Sequence, residues 1–433
     1  MTKTMTYEEL ILKLKDRLAA DGVYPIQAQA MLSTQILKDK LELVLPWAME
    51  ASGFDFWLVL SRENNDDPIH STLVTWDMLE ARRVSILAFH RDSKTGAVRR
   101  MCVGSQSPEM DGLYENVQQR GESVWEATAR ILRECDPSRI AVNRSLNSGY
   151  CDGLTATLFE QLKDAIDPCY RERIEDGEAL SVRWLERVTP LEKKIMECFC
   201  AVTHAIIDYT FSTDFIIPGK TTTTDIEWCM RRIINELGYN YWFGPDVDLQ
   251  RRGSNVSRMF NETIQPGDLL HCDIGINGQY VHLHTDMQWV AYILREGETE
   301  APQELQALLD TGNRFRQIVM DSMVISKDGN AVFDEAMRLA KQEGIQPMLY
   351  THPVGTFGHG AGPAIGMYTN QGFVAGTGER VIGEDTCFAL ELNVYDNLAC
   401  WGGQRVFMYL EEDICRAAEC DYIDGHQTKL MLL

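Results

Sequence analysis

The chain has 433 residues, with 41 Lys plus Arg against 64 Asp plus Glu, a formal charge of −23. A chain this acidic, without a long Lys/Arg run, offers no clustered positive charge to a nucleic-acid backbone, and no run of 18 or more apolar residues reads as a membrane span. Its 45% hydrophobic and 24% charged content is that of a globular protein, long enough for about two domains.

The start, Met1-Thr-Lys-Thr-Met-Thr-Tyr-Glu-Glu, lacks the apolar core of a signal peptide, so the cytoplasm is expected. Residues 1–45 read as a helical extension, with apolar residues at three- and four-residue intervals around Tyr7–Lys15 and Ile36–Leu45. A first domain is expected over 46–180. Within it Phe54–Leu60, Val84–His90 and Ile140–Asn143 read as strands, and the stretch around 123–135 as a helix, an α/β alternation. The charged run Arg171–Glu178 reads as a boundary, opening a second domain over 181–433. There Thr189-Pro-Leu-Glu192 and Thr224-Asp-Ile-Glu227 read as capping boxes, the second helix stopping near Gly238. Further helices are expected at about 302–323 and 331–343, and strands at 268–276, 280–294, 387–395 and 405–416. Of the twelve cysteines the closest pair is Cys198 and Cys200, with no C-x-x-C pair; reduced, mostly buried thiols are expected.

Five side chains carry the candidate chemistry: Asp273 in Asp-Ile-Gly, Asp286 in Thr-Asp-Met-Gln, His359 in Gly-His-Gly-Ala-Gly, Glu391 in Ala-Leu-Glu-Leu-Asn, and Glu411 in Leu-Glu-Glu-Asp-Ile. Four of them interrupt runs that read as buried strands, where a carboxylate is costly unless paired or bound to a cation. Four carboxylates balance two divalent ions, and oxygen-rich ligation with one imidazole suits Mn²⁺, Co²⁺, Fe²⁺ or Zn²⁺. Two such ions could activate a bridging water against an amide or similar C–N bond. The same residues also read as separate loop acids and one capped histidine.

In their order and local contexts, these five residues resemble the ligands of the pita-bread metallopeptidase superfamily, which holds methionine aminopeptidase, aminopeptidase P, prolidase and creatinase. Phe54-Asp-Phe-Trp-Leu-Val-Leu and Ile140-Ala-Val-Asn resemble the N-terminal domain of creatinase and prolidase. The resemblance implies an α+β chain: a C-terminal pita-bread fold behind a creatinase-like α/β N-terminal domain. It implies two divalent ions, expected to be Mn²⁺, on Asp273, Asp286, His359, Glu391 and Glu411, with Glu391 shuttling a proton from water to the leaving nitrogen. It also implies a small peptide with proline after the scissile bond as substrate, and a homodimer. Strand parity selects Glu411 over Glu412, on the face of Arg405, Phe407 and Tyr409.

The chain departs from the family at several points. The two aspartates are 13 residues apart, about two more than usual. Asn277-Gly278 reads as the insertion; a tight turn there would instead bring in His282 or His284. The substrate histidine expected about 17 residues before the first aspartate is missing from Asn255-Val-Ser-Arg. The one expected about seven after the ligand histidine is Gly366, and the arginine two before the last glutamate is Tyr409. His352, seven before His359, is the candidate replacement, and otherwise a loop residue before Pro353. Arg251, beside Arg252, and Arg405 are candidates to clamp a substrate carboxylate. These gaps leave open a creatinase-like hydrolase or lyase acting on a small metabolite, or a non-catalytic binding module.

Overall fold

The computed structural model describes residues 5–78 and 80–433. The chain divides into two compact units, one of residues 30–189 and one joining 1–29 to 190–433.

The 30–189 unit is built on a six-stranded sheet: β1 (Phe56–Arg62), β2 (Val84–Arg91), β3 (Val98–Val103), β4 (Glu115–Asn116), β5 (Ile140–Val142) and β6 (Ile174–Asp176), in the order β4-β3-β2-β1-β5-β6. β1 pairs antiparallel with β2 and parallel with β5. Both faces of β1 are buried, which is why it reads as a continuous apolar run. Phe56, Leu58 and Leu60 pack with Ile131, Leu132, Leu158 and Leu162 from the helices Val124–Cys135 and Ala156–Ala165. On the opposite face Trp57 meets Phe89 at 5.4 Å and Trp184 at 6.3 Å. The helix Val124–Cys135 opens on a Ser123/Glu126 capping box. The charged run near 171–178 forms the edge strand β6 and the start of the helix Glu178–Glu186. An exposed edge strand is polar for the same reason a linker is, its contact with water.

The second unit holds the remaining strands: β7 (Tyr239–Tyr241), β8 (Asp246–Gln250), β9 (Leu269–Ile274), β10 (Ile276–Gly278), β11 (Met287–Tyr292), β12 (Pro347–Leu349), β13 (His352–Pro353), β14 (Thr386–Ala389), β15 (Leu392–Leu398), β16 (Gln404–Leu410), β17 (Asp413–Arg416), β18 (Cys420–Tyr422) and β19 (Met431–Leu432). They form sheets ordered β19-β11-β9-β8, β12-β15-β16 and β13-β14-β17-β18, with β10 pairing β7. The two expected strands over 387–395 and 405–416 are each broken at the acidic residue, β14 from β15 at Leu390-Glu391 and β16 from β17 at Glu411-Glu412. At each break the chain passes from one sheet to another.

Period-2 alternation divides β15 and β16 into two faces. Leu392, Val394, Val406, Met408 and Leu410 pack with Leu305, Leu309, Phe315 and Val319 of the helix Gln303–Ser322. That packing is close enough that a Cβ on Gly312 would overlap Leu410. The alternate residues Asn393, Tyr395, Phe407 and Tyr409 line the other face, which Glu391 and Glu411 head.

Local readings shift in three places. The cap of the helix Thr223–Glu236 is a Thr222/Asp225 box, two residues before the expected one; the helix ends before Gly238, whose φ is +76°. Asn277-Gly278 belongs to β10, paired with β7, and β11 begins only at Met287. The N-terminal helix Tyr7–Ala20 belongs to this unit: Tyr7 donates to Glu236 at 2.7 Å, and Gln29 accepts from the Gln279 amide at 2.9 Å. All twelve cysteines are unpaired, most of them buried. No helix among the described residues is long and apolar enough to cross a membrane.

Candidate metal centre

β9 carries Leu269, His271 and Asp273 on one face, and its pairing with β11 sets Asp273 opposite Gln288 and His271 opposite Val290. This face starts apolar, with Leu269, Val290 and Tyr292 in the core, and turns polar toward Asp273 and Gln288. Asp286 lies just before β11, two residues from Gln288 and on the same side of the strand. Its amide donates to Asp413 Oδ2 at 3.1 Å. A bridge between Gln288 and Glu411 joins β11 to the end of β16. β13 pairs with β14, with His352 opposite Ala389, two residues from Glu391.

These connections bring His352, Asp286, Glu391 and Glu411 together. His352 Nε2 lies 3.5 Å from Asp286 Oδ2, 3.7 Å from Glu411 Oε1 and 3.9 Å from Glu391 Oε2. Asp286, His352 and Glu411 each offer a ligand atom within 4.8 Å of the other two. The side chain of Glu411 is 1% exposed, that of His352 13% and that of Glu391 20%.

Asp286 Oδ1, His352 Nε2, Glu411 Oε1 and Asp273 Oδ1 are buried and have no hydrogen-bond partner. Buried polar atoms are normally satisfied, so three unsatisfied acceptors and an imidazole nitrogen fit the ligand set of a cation. The electrostatics agree. Burial, then the charge of Glu411, pushes the Asp273 carboxyl up to about 8; burial, then the charge of Asp286, does the same to Glu411. Asp286 and Glu391 are raised well above the carboxylate range, first by burial and then by Asp273 and Glu411 respectively. For His352, burial pulls downward, but the nearby Glu411 carboxylate, then the charge of Glu391, carry it up to about 9. Crowded carboxylates resist ionising together, and a divalent ion reverses that.

The expected site residues fall in different places. His359 is exposed and outside the close group; its ring lies 4.6 Å from that of His352 and 5.1 Å from that of Trp242. Asp273 shares the polar face but also lies outside the close group. Glu412 points elsewhere, accepting from Trp289 Nε1 at 2.6 Å and lying 3.0 Å from His204 Nε2. His282 is exposed, and His284 Nδ1 lies 2.9 Å from the Gly355 carbonyl. Arg251 spends its fork on the buried Asp268, at 2.9 and 2.8 Å. Arg405 is exposed over the Tyr395 ring at 4.6 Å; it lies six residues before Glu411, about 20 Å along the strand.

Residues that the sequence reading did not single out complete the surroundings. Gln288 Nε2 donates to Glu391 Oε1 and Glu411 Oε2, both at 2.8 Å. His271 lies between Asp248, 2.9 Å from Nδ1, and Gln288 Oε1, 3.0 Å from Nε2. Arg258 Nε donates to Asp248 at 2.8 Å, and its guanidinium lies over the Phe260 and Tyr409 rings. The signal for His271 and Gln288 is in the sequence: each lies two residues from an aspartate, on the same face of a strand that is otherwise buried.

The model of metallopeptidase family M24 matches residues 194–414, just over half of the chain. No curated protein matches the sequence. Among solved structures the chain is similar to an X-Pro aminopeptidase from Thermotoga maritima (TM-score 0.62, 13% identity, covering 89% of this chain and 100% of that one). It is also similar to a Xaa-Pro dipeptidase from Bacillus anthracis (0.61, 15%, 92% and 100%) and to the prolidase from Pyrococcus furiosus (0.56, 12%, 88% and 100%). At these identities the likeness establishes the fold: a pita-bread unit with an α/β N-terminal domain.

Proposed function

The chain belongs to metallopeptidase family M24, and we propose that it is a metal-dependent hydrolase of a C–N amide bond, with small Xaa-Pro peptides as its substrate class. The observation that carries this reading is the close group of Asp286, His352 and Glu411, each with a buried, unpartnered ligand atom. These three side chains would hold a divalent ion, Mn²⁺ being the expected one. When bound, such an ion supplies a Lewis acid and lowers the pKa of water.

Around it, Glu391 is the proton carrier. Its Oε1 is held by Gln288, and its Oε2 is left toward His352. Of the close carboxylates it is the one that solvent reaches. Oε2 takes a proton from the attacking water and returns it to the leaving nitrogen. His352 takes the ligand position in this reading, and His359, seven residues on, then falls at the spacing of the family's substrate-contacting histidine. Exposed and packed against Trp242, it would donate a hydrogen bond to the oxygen of the scissile carbonyl.

A second reading is a hydrolase acting on a small non-peptide C–N substrate. One observation favours it: Arg251 is committed to Asp268, and Arg405 lies about 20 Å along its strand, so neither offers a fork to a dipeptide carboxylate. Hydrolysis of a panel of Xaa-Pro di- and tripeptides by Mn²⁺-loaded protein, with Glu391→Ala as control, separates the two. Turnover that the control abolishes supports the peptidase. Metal-loaded protein with no turnover on any peptide points to small C–N substrates.

A further inference from the structure

Resting on the metal-hydrolase reading, we propose that the site takes one divalent ion, at Asp286, His352 and Glu411, and that the Gln288 amide occupies the place a second ion would need. The amide nitrogen lies 2.8 Å from Glu391 Oε1 and 2.8 Å from Glu411 Oε2. A carboxylate that joins two ions gives one oxygen to each. Glu411 gives Oε1 to the His352 side, at 3.7 Å, and its Oε2 is on Gln288. Glu391 is divided in the same way, with Oε2 3.9 Å from His352 and Oε1 on Gln288. An ion bound to the two inner oxygens would sit about 2.1 Å from each, in the space the amide nitrogen fills.

The amide is held there. Carboxylate oxygens only accept, so the NH₂ end of Gln288 must face them. Its Oε1 then faces His271 Nε2 at 3.0 Å, and His271 Nδ1 lies 2.9 Å from Asp248 Oδ2. Arg258 Nε donates to the same Asp248 oxygen, Oδ2, at 2.8 Å. Asp248, His271 and Gln288 are each no more than 3% exposed, and they sit on three paired strands, β8, β9 and β11. Moving the amide aside would break this chain and leave buried polar atoms unpaired, at a cost of about 1–3 kcal/mol for each neutral group. Asp273, the register partner of Gln288, is one of the expected ligands outside the close group. Its Oδ1 is buried and has no hydrogen-bond partner.

The test is the Mn²⁺ stoichiometry of the full chain after chelator treatment, read by titration calorimetry and by metal analysis after desalting, without any substrate. The expected value is one ion per chain, with the six-line electron paramagnetic resonance spectrum of an isolated Mn²⁺. Gln288→Ala frees the two inner oxygens and is expected to bind two ions, with a coupled spectrum. Two ions on the native chain would overturn the one-ion site and leave the metal-hydrolase reading standing. No ion on a folded native chain would overturn both. A folded Gln288→Ala that still binds one ion would overturn the role given to the amide.

Discussion

The ring of His352 stands edge-on to that of His359, with centroids 4.6 Å apart and planes at 79°. The two imidazoles face different surroundings. His352 has carboxylates of Asp286, Glu411 and Glu391 around Nε2, and His359 has the Trp242 indole. On the proposed reading the pair divides between holding an ion and meeting substrate. His352→Ala is expected to lose bound metal and activity together. His359→Gln is expected to keep the metal and lower kcat about 10²-fold or more. Metal analysis alongside kinetics decides this, and loss of metal from His359→Gln alone would reverse the two roles.

The Gly-His-Gly segment depends on the same indole. A Cβ on Gly358 would overlap the six-membered part of the Trp242 ring. That ring cannot easily give way, because its Nε1 donates to the Thr285 carbonyl at 3.0 Å and it packs edge-on to Phe243 at 4.6 Å. Gly358→Ala should therefore displace His359, cost about 1–3 kcal/mol of stability, and reduce kcat with metal content unchanged. Unaltered kcat in a folded variant would remove His359 from the chemistry.

Arg251 makes a different kind of prediction. Its carboxylate partner, Asp268, is 1% exposed, so removing the guanidinium strands a buried charge. Arg251→Ala should lower stability by about 3 kcal/mol and leave KM for any substrate within about twofold. A large rise in KM without a fall in melting temperature would restore it as a substrate clamp.

How much of this was legible depends on whether the determining pattern is local. The β1 and β9 runs, the helix around 123–135 and the face shared by Glu411 and Tyr409 follow from neighbours in sequence, and the structure keeps them. The approach of His352 to the carboxylates does not: only the pairing of β13 with β14 brings His352 beside Glu391. The strand breaks at Glu391 and Glu411 are hidden for the same reason: both neighbouring strands are apolar, and the passage between sheets is set by partners far away in sequence. Asn277-Gly278 carries the signal of a tight turn, but pairing with β7 outweighs it. Arg251 reads as a free cation because its partner, Asp268, is 17 residues away.

His204, on the helix Pro190–Thr210, ties the end of the chain to its interior and gives the pH dependence a sign. Nδ1 lies 2.9 Å from Asp424 and Nε2 3.0 Å from Glu412. Burial pulls its pKa down, but the hydrogen bonds and charges of Asp424 and Glu412 outweigh that and carry it up to about 10. A histidine raised in the folded state binds its proton more tightly there than in the unfolded chain, so its stabilisation is fully present below about pH 6.5 and is lost as pH rises toward 10. The whole shift corresponds to at most about 5 kcal/mol. The melting temperature of the metal-free native chain should exceed that of His204→Gln most at pH 6, and the gap should close by about pH 10. A gap constant across that range would mean that His204 is held neutral and that packing against Trp289, 5.1 Å away between rings, carries its contribution.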